Sequence, residues 1–415
     1  MAGKIRFYRL RRTRDGFTCM VRSDDREKAD KLFFSLSPCP GVLDNDTIAC
    51  TLTLLCGERY DEIELGLPVS EEVLEDLRVF TKARLITPPA EGAAASLRRL
   101  RNRVTGQWSD IWYEPGEERE PKRVLLNFSG GFDSLALYAL LPRERVDLVS
   151  VDFGGWFQRE ADFFRSFNPY TLSTNFRMLG YARDSWKYMG AGAMLYSRLL
   201  AGDHAWQAFG SMMEEVTSSF RDHISLTMYD PPNSTLGLNS LPLAQGITEV
   251  GAAIVVSCYF PEVIDRSLTS LGLDGSEKHY RKQVLVDIVN ERFHRGLTLE
   301  PYVLPEEKFR VPFGSDLVLD FLGLYELKHR GAEVVGGILT DIPEEALRLA
   351  EELSLAFYEK YSPRYLEYVP DDIRLYYLER LNEAGMSLWN EKDMAEYFQI
   401  RDFLSAWHPG VLDPQ

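Results

Sequence analysis

The sequence predicts an α/β protein whose central layer is a doubly wound parallel sheet. The first observation is a strand, a glycine turn, a helix and a second strand in direct succession, at 123–128, 129–134, 135–141 and 147–153. This order forms a βαβ unit, which implies parallel strands and a right-handed crossover. The second observation is a helical pattern at 185–200 followed by another strand-like segment at 204–210. We expect a ligand at the carboxyl ends of these strands.

The regions on either side of the sheet have different patterns. Residues 1–90 predict a small α+β domain, with strands at 5–10, 47–55 and 62–67 and helices at 26–36 and 71–82. A stretch rich in proline, alanine and glycine from Pro88 to Ala95 marks a linker, placed at 91–121, which contains the basic residues Arg98, Arg99, Arg101 and Arg103. The sheet region is then 122–304. Residues 305–415 are predicted to be mainly helical, most clearly at 344–361, 371–382 and 391–404.

Composition limits the classes of function. The chain has 415 residues, of which 45% are hydrophobic and 27% charged, as in ordinary globular proteins. It has no stretch of about 20 apolar residues and no apolar signal segment near its start, so we expect a cytoplasmic protein without a membrane span. The net charge of −16 disfavours nucleic acid as a partner. Five cysteines without a Cys-x-x-Cys pair predict no structural zinc and no disulfide framework.

The glycine turn carries the chemistry. It reads Ser129, Gly130, Gly131, Phe132, Asp133 and Ser134. Two glycines let backbone N–H groups approach a phosphate closely, and the helix that follows adds unpaired amides and a positive dipole end. The serine hydroxyls can donate to phosphate oxygens, whereas Asp133 suits a phosphate site only if a cation such as Mg²⁺ lies between them. The turn lacks the lysine of a Gly-x-x-x-x-Gly-Lys loop.

This turn resembles the loop of the PP-loop ATP pyrophosphatase superfamily, Ser-Gly-Gly-x-Asp-Ser. The resemblance implies the PP-loop fold, also called adenine nucleotide alpha hydrolase-like. It also implies ATP and Mg²⁺ as cofactors. In that superfamily the loop holds the β- and γ-phosphates as a leaving group while a substrate oxygen attacks the α-phosphate, which gives an adenylated intermediate.

Further segments are similar to the 7-cyano-7-deazaguanine synthase (QueC) family. Val-Asp-Phe-Gly-Gly ends the second strand, which would bring Asp152 and Phe153 to the nucleotide. Gly210 and Glu214 match part of a later motif in that family, Gly-x-Asn-x-Glu-Asp. Asn175 and Arg177 are candidates to bind the α-phosphate or a substrate carboxylate, because arginine offers paired donors for such groups.

The chain departs from that family at its zinc site. Where that family has Ser-Cys and then three further zinc-binding cysteines, this chain carries Ser267-Leu268 and then Glu277, Tyr280 and Gln283. We therefore expect a metal-free helix in this segment. Basic residues there and earlier in the region, Lys187, Lys278 and Arg281, are candidates to neutralise charge in the α-phosphate transition state.

The overall pattern is similar to a zinc-less, QueC-like branch found in antiphage defence operons. The resemblance implies an ATP-dependent ligase that adenylates a carboxylate, in this case a 7-deazaguanine carboxylate, and passes it to an amine to form an amide. The amine could be ammonia or belong to an operon partner protein. Two alternatives stay open: a PP-loop enzyme that adenylates a tRNA base or an amino acid, and a nucleotide-binding subunit without catalysis. Tyrosines between 358 and 377 fit either a helix-packing core or a partner surface.

Overall fold

The computed structural model describes residues 3–89, 122–181, 186–200, 204–220, 232–272 and 275–409. It confirms the α/β class, with a large and mostly parallel central sheet. The strands of this sheet are β1 (Lys4–Thr13), β2 (Gly16–Ser23), β3 (Asp30–Ser37), β4 (Glu62–Leu65), β5 (Arg84–Ile86), β6 (Arg123–Asn127), β7 (Val146–Asp152), β8 (Tyr170–Thr174), β9 (His204–Ala208) and β10 (Asn239–Leu241). Two short parallel strands, β11 (Val311–Pro312) and β12 (Leu339–Thr340), pair separately.

Helices cover both faces of the sheet. In the described part of the chain they are α1 (Asn45–Cys56), α2 (Glu71–Thr81), α3 (Phe132–Leu140), α4 (Gln158–Phe164), α5 (Ala191–Ser197), α6 (Pro232–Thr235), α7 (Glu249–Tyr259), α8 (Ile264–Leu271), α9 (Glu277–Arg292), α10 (Leu317–Val335), α11 (Glu344–Glu352), α12 (Asp371–Glu383) and α13 (Glu391–Ser405). Of the predicted helix at 185–200, a 3₁₀ helix at Trp186–Gly190 and the short α5 are formed.

The strand order creates a crevice at the carboxyl end of β6. The order is β10-β9-β6-β7-β8-β3-β2-β1-β4-β5, and β6 to β10 run parallel to their neighbours in this group. The chain proceeds outward from β6 through β7 to β8 and then returns to the other side of β6 as β9. Loops leaving β6 and β9 therefore diverge, and such a switch point is where open α/β sheets bind ligands.

The two crossovers lie on opposite faces. Leu135 of α3 packs with Leu126 of β6 in one hydrophobic core. Met194 of α5 packs with Leu125 and Val149 in the other. Leu125 and Leu126 belong to different cores because adjacent residues of a strand point to opposite faces.

The N-terminal strands extend the same sheet. β3 pairs antiparallel with β8, so that Leu36 lies opposite Leu172, and α1 packs against α5. The predicted division at residue 90 stays a prediction. The predicted linker, with its Arg98–Arg103 cluster, lies outside the described residues.

Two predicted elements in this region are wrong. Residues 47–55 form the helix α1 and not a strand, because Asp44 caps it by accepting from the Thr47 N–H at 2.6 Å. The hydroxyls of Thr51 and Thr53 donate to carbonyls four residues earlier, which accommodates these β-branched residues inside a buried helix. Residues from Asp30 onward form β3 and not a helix, because β2 and β8 pair with it on both sides.

The C-terminal region is mainly helical as predicted, with α12 and α13 close to their expected bounds, but the helix expected at 344–361 ends at Glu352 as α11. The tyrosines there pack mainly as core, since Tyr358, Tyr361, Tyr365 and Tyr377 are buried. None of the described helices is long and apolar enough to cross a membrane.

Candidate active site

The glycine turn leaves β6 and enters α3 at the switch point. The Ser134 hydroxyl donates to the Gly131 carbonyl at 3.0 Å and accepts from the Gly130 N–H at 3.1 Å. The Ser129 hydroxyl accepts from the Gly131 N–H at 3.2 Å. Gly130 has a φ of 79°, in the left-handed region that favours glycine. The two hydroxyls that the sequence assigns to phosphate therefore hold the shape of the turn.

The first turn of α3 has backbone amides that favour an anion. α3 begins at Phe132 and has no side-chain cap. The N–H groups of Phe132, Asp133 and Ser134 have no carbonyl of the same helix four residues earlier, and the positive end of the helix dipole lies there. The Phe132 side chain is buried in the core, so this residue is placed to contribute through its backbone.

Gly210 lies directly against this turn. A Cβ atom at Gly210 would be 2.8 Å from the Asp133 Cβ and 3.0 Å from the Ser134 nitrogen. Both atoms belong to or adjoin backbone, which cannot move aside cheaply. The structure thus brings together the segment after β9 and the turn after β6, as expected for the two sides of one crevice.

Substitution of Gly210 by alanine is expected to destabilise the fold by about 1–3 kcal/mol, since overpacking a tight backbone contact costs this much. The matched control is Gly246→Ala, where a Cβ would be 3.4 Å from the Tyr377 hydroxyl and no other atom comes closer. Urea unfolding of both variants measures the difference. Equal stability of the two variants would contradict the close approach at Gly210.

Helices α4 and α8 support the turn from the outside. The Ser267 hydroxyl of α8 donates to the Gly130 carbonyl at 2.8 Å. The ring of Phe163 in α4 would be 2.7 Å from a Cβ at Gly130. Ser267 directly precedes Leu268, the first position at which the zinc-binding family has a cysteine, and here it supports the turn.

A chain of buried charges connects the turn to α7 and α9. The Lys282 ammonium lies 3.0 Å from one carboxylate oxygen of Asp133 and 3.3 Å from Glu249. The Arg281 guanidinium binds Glu249 and, at 2.9 Å, Glu277. The side chains of Lys282 and Glu249 are each only 3% exposed. The expected helix is formed as α9, and its residues Arg281 and Lys282 supply the positive charges of this chain.

Sequence reasoning identified the correct helix but missed the lysine that touches the turn. It assigned Lys278 and Arg281 to the site. Lys278 is exposed, and the contacts of Arg281 lead to Glu249 and Glu277 and not to the turn. Lys282 contacts Asp133. The Arg-Lys pair at 281–282 was a visible signal, but only the packing of α9 decides which of the two faces the turn.

Two further carboxyls lie beside this chain. The Glu214 carboxylate accepts from the Glu249 N–H at 2.7 Å, and burial together with the charge of Glu249 raises its pKa well above the ordinary range. Burial and the nearby charges of Asp133 and Glu249 raise the pKa of Glu215 to about 7. Glu249 is different: although burial alone would raise its pKa, Arg281 and Lys282 lower it to about 2. The Glu215 carboxylate accepts from the Met212 N–H at 3.2 Å, and its raised pKa is in the range that suits a general base.

Glu326 of α10 predicts a pH-dependent stability. Burial raises its pKa to about 8, against an ordinary 4.5, and one of its oxygens accepts no hydrogen bond from the described residues. Because the folded pKa is the higher one, the native state is favoured while Glu326 is protonated, and stability is lost as pH rises from about 4.5 through 8.

Glu326→Gln should therefore match the wild type near pH 4.5 and exceed its stability at pH 9, by up to about 5 kcal/mol at about 1.4 kcal/mol per pKa unit. Urea unfolding at both pH values measures this effect. The exposed Glu333→Gln of the same helix is the control and should change little. A pH-independent difference between Glu326→Gln and the wild type would contradict the prediction.

Three predicted nucleotide contacts have structural partners. Asp152 accepts from the Gly154 N–H at 2.8 Å and pairs with Arg165 at 2.7 Å. The Asn175 side chain accepts from the Phe33 N–H at 3.2 Å and donates to the Lys31 carbonyl at 2.8 Å. Phe153 is buried among aromatic rings. The turn after β7 and the junction of β8 with β3 therefore depend on these side chains, and their binding roles stay predictions.

Charged residues surround the crevice on the β7 and β8 side. The Arg177 guanidinium lies 4.0 Å from the centre of the Phe157 ring. Burial raises the pKa of Glu160 in α4, and the positive charges of Lys278 and Arg177 oppose this rise. Lys278 also acts on Glu215. Lys187 belongs to the 3₁₀ helix Trp186–Gly190, and its side chain lies outside the described part of the structure.

The residues of this site could bind Mg²⁺ only together with phosphate oxygens as further ligands. Among the described residues, no three His, Cys, Asp or Glu side chains are grouped to hold a metal ion. Asp133 offers one carboxylate, and Lys282 lies 3.4 Å from its second oxygen. A hard cation with one protein carboxylate and phosphate oxygens is the usual arrangement for Mg²⁺.

The fold and the site define an α/β protein in which a glycine turn opens a helix at the switch point of the sheet. No protein-family model, curated protein or solved structure matches the chain.

Proposed function

We propose that this protein is an ATP-dependent, AMP- and pyrophosphate-forming ligase with a PP-loop fold. The observation that carries the proposal is the position of the turn from Ser129 to Ser134. It opens α3 at the switch point, carries a carboxylate at Asp133, and contacts the segment after β9 at Gly210. A phosphate cradle without a P-loop lysine favours attack at the α-phosphate over transfer of the γ-phosphate.

In the proposed reaction, a substrate carboxylate oxygen bonds to the α-phosphorus while the bond from that phosphorus to the bridging oxygen of the β-phosphate breaks. Pyrophosphate leaves with the electron pair. An amine then attacks the acyl carbon, AMP leaves, and the amine nitrogen loses a proton. Glu215 is the candidate to accept that proton, since its pKa is raised to about 7 by burial beside Asp133.

Each part of the site has a role in this scheme. The amides of the first turn of α3 would bind phosphate oxygens. Asp133 would hold Mg²⁺, which supplies neutralisation of the phosphate charge. Lys278 and Arg177 would meet the anionic substrate at the open side of the crevice, where their charges already act on Glu160.

The proposed carboxylate is a 7-deazaguanine carboxylate, and the proposed acceptor is ammonia or an amine of a partner protein from a defence operon. Both rest on the resemblance of Val151–Gly155, Gly210 and Glu214 to the 7-cyano-7-deazaguanine synthase family. A cytoplasmic location belongs to the same proposal.

The test is incubation of the protein with ATP, Mg²⁺ and candidate carboxylates, with assays for AMP and pyrophosphate. The proposal expects AMP and pyrophosphate in equal amounts only when the carboxylate is present. AMP formation with an amino acid or a tRNA would instead identify another adenylating enzyme of this superfamily. Release of ADP and phosphate, or bound ATP without turnover, would overturn the proposed reaction.

A further inference from the structure

Lys282 is the cation in contact with the glycine turn among the described residues. Its ammonium lies 3.0 and 3.4 Å from the two oxygens of Asp133 and 5.6 Å from the centre of the Phe132 ring. It reaches this position from α9, which is 149 residues further along the chain. Sequence proximity therefore has no part in the pairing.

The ammonium is shared between two carboxylates of different exposure. Asp133 is 20% exposed, whereas Glu249, at 3.3 Å, is 3% exposed. Arg281 already pairs with Glu249 and with Glu277. Glu249 thus keeps a partner when Lys282 is engaged elsewhere, and Asp133 depends on Lys282 for its ion pair.

Lys282 stays charged in this buried place. Burial alone would lower its pKa, but the carboxylates of Asp133 and Glu249 raise it above the ordinary value of 10.5. A permanent positive charge therefore lies beside the first turn of α3. The same charge occupies one side of the carboxylate that a divalent cation would need.

The position of the Asp133 carboxylate depends on its ion pair with Lys282. Asp133 is the second residue of α3, whose N-cap is Gly131. Its carboxylate accepts from the ammonium of Lys282 through both oxygens, at 3.0 and 3.4 Å. The packing of α9 therefore determines where this carboxylate lies beside the first turn of α3.

We propose that Lys282 is a positioning residue that fixes the Asp133 carboxylate beside the first turn of α3 and acts as its counter-ion until a metal-bound pyrophosphate group arrives. This inference rests on the proposed function, and it names the residue that regulates cation and anion binding at the same turn. It implies opposite effects on two ligands. Removal of the ammonium weakens binding of the anion and strengthens binding of a metal ion alone.

The experiment measures binding and not turnover. Titration calorimetry with metal-free pyrophosphate and electron paramagnetic resonance with Mn²⁺ alone are applied to wild type, Lys282→Met and Lys282→Arg. We expect at least about tenfold weaker pyrophosphate binding and tighter Mn²⁺ binding in Lys282→Met, because two carboxylates then lack their shared cation. Lys282→Arg should restore both values to within about threefold of wild type, because it keeps the charge.

The control is Lys308→Met, which removes an exposed lysine that pairs with Glu306 at 2.6 Å and lies 4.9 Å from the centre of the Phe309 ring. If Lys282→Met fails to fold, Lys282→Met with Glu249→Gln removes one buried charge of each sign and carries the same expectation. If a folded Lys282→Met variant bound pyrophosphate and Mn²⁺ more weakly by the same factor, Lys282 would have only a structural role, and the inference would be overturned. Unchanged binding of both ligands would overturn it as well.

These outcomes separate the inference from the ligase proposal. Lys282-dependent pyrophosphate binding in a protein that forms no AMP would support the inference and overturn the ligase reaction. AMP formation with unchanged ligand binding in Lys282→Met would do the reverse. A wild-type protein that binds no pyrophosphate would overturn both.

Discussion

Asp133→Ala is expected to reduce AMP and pyrophosphate formation by at least about 10³-fold. The cation that would neutralise charge in the transition state then lacks its carboxylate ligand. The fold should persist. Lys282 keeps Glu249 at 3.3 Å, so no buried ammonium is left without a partner. The Cβ of residue 133 remains in contact with Gly210. Initial rates with saturating ATP, together with thermal unfolding, measure the two effects separately.

The control for this variant is Asp162→Ala. Asp162 is 61% exposed, belongs to α4, and pairs with Arg165 at 3.0 Å. Asp162→Ala therefore removes an exposed carboxylate without changing the turn. This variant should keep wild-type activity within about twofold, because surface ion pairs contribute little. Full activity of Asp133→Ala would mean that the turn does not bind the metal-bound nucleotide.

Arg281→Met is expected to give the largest loss of stability, about 3–5 kcal/mol, because breaking a buried ion pair leaves a charge in low dielectric surroundings. Glu249, which is 3% exposed, would keep only Lys282, and Lys282 is shared with Asp133. Urea unfolding at pH 7 measures the loss. Arg348→Met, at a 58% exposed pair on α11, should cost no more than about 1 kcal/mol.

The acid limb of the stability profile gives a second measure of the same pair. The pKa of Glu249 is lowered to about 2 by Arg281 and Lys282, against the opposing effect of burial. Because the folded pKa is the lower one, the wild type keeps this contribution above about pH 4.5 and loses it as pH falls toward 2. Arg281→Met should flatten this limb. Stability of Arg281→Met equal to that of Arg348→Met would contradict the buried pairing.

Local patterns were sufficient for the strands that carry the site. β6, β7 and β9 are short apolar segments bounded by glycine, proline or charged residues, and the structure forms all three close to the predicted bounds. The glycine turn was also recognisable from residue type, since Gly130 adopts the left-handed backbone that glycine permits, but α3 begins at Phe132 and not at Leu135 as predicted.

Local patterns predicted the wrong secondary structure where every side chain of an element is buried, and where a segment pairs with strands that are distant in the sequence. Every residue of α1 from Thr47 to Cys56 is buried, so the helix has no polar face to show its period. β3 begins in a segment rich in helix-forming residues, and contacts with β2 and β8 decide its structure. Propensities are weak compared with such tertiary pairing.

The sequence by itself determined the α/β class, the glycine turn between β6 and α3, and the helix in the segment where the zinc-binding family has its cysteines. Only the tertiary structure decided that β8 joins the N-terminal strands, that Gly210 contacts the turn, and that Lys282 rather than Arg281 pairs with Asp133. The physical reason is the separation in sequence between the residues that interact. Turns and periods depend on neighbouring residues, whereas an ion pair across 149 positions depends on how α9 packs against α3 and α7.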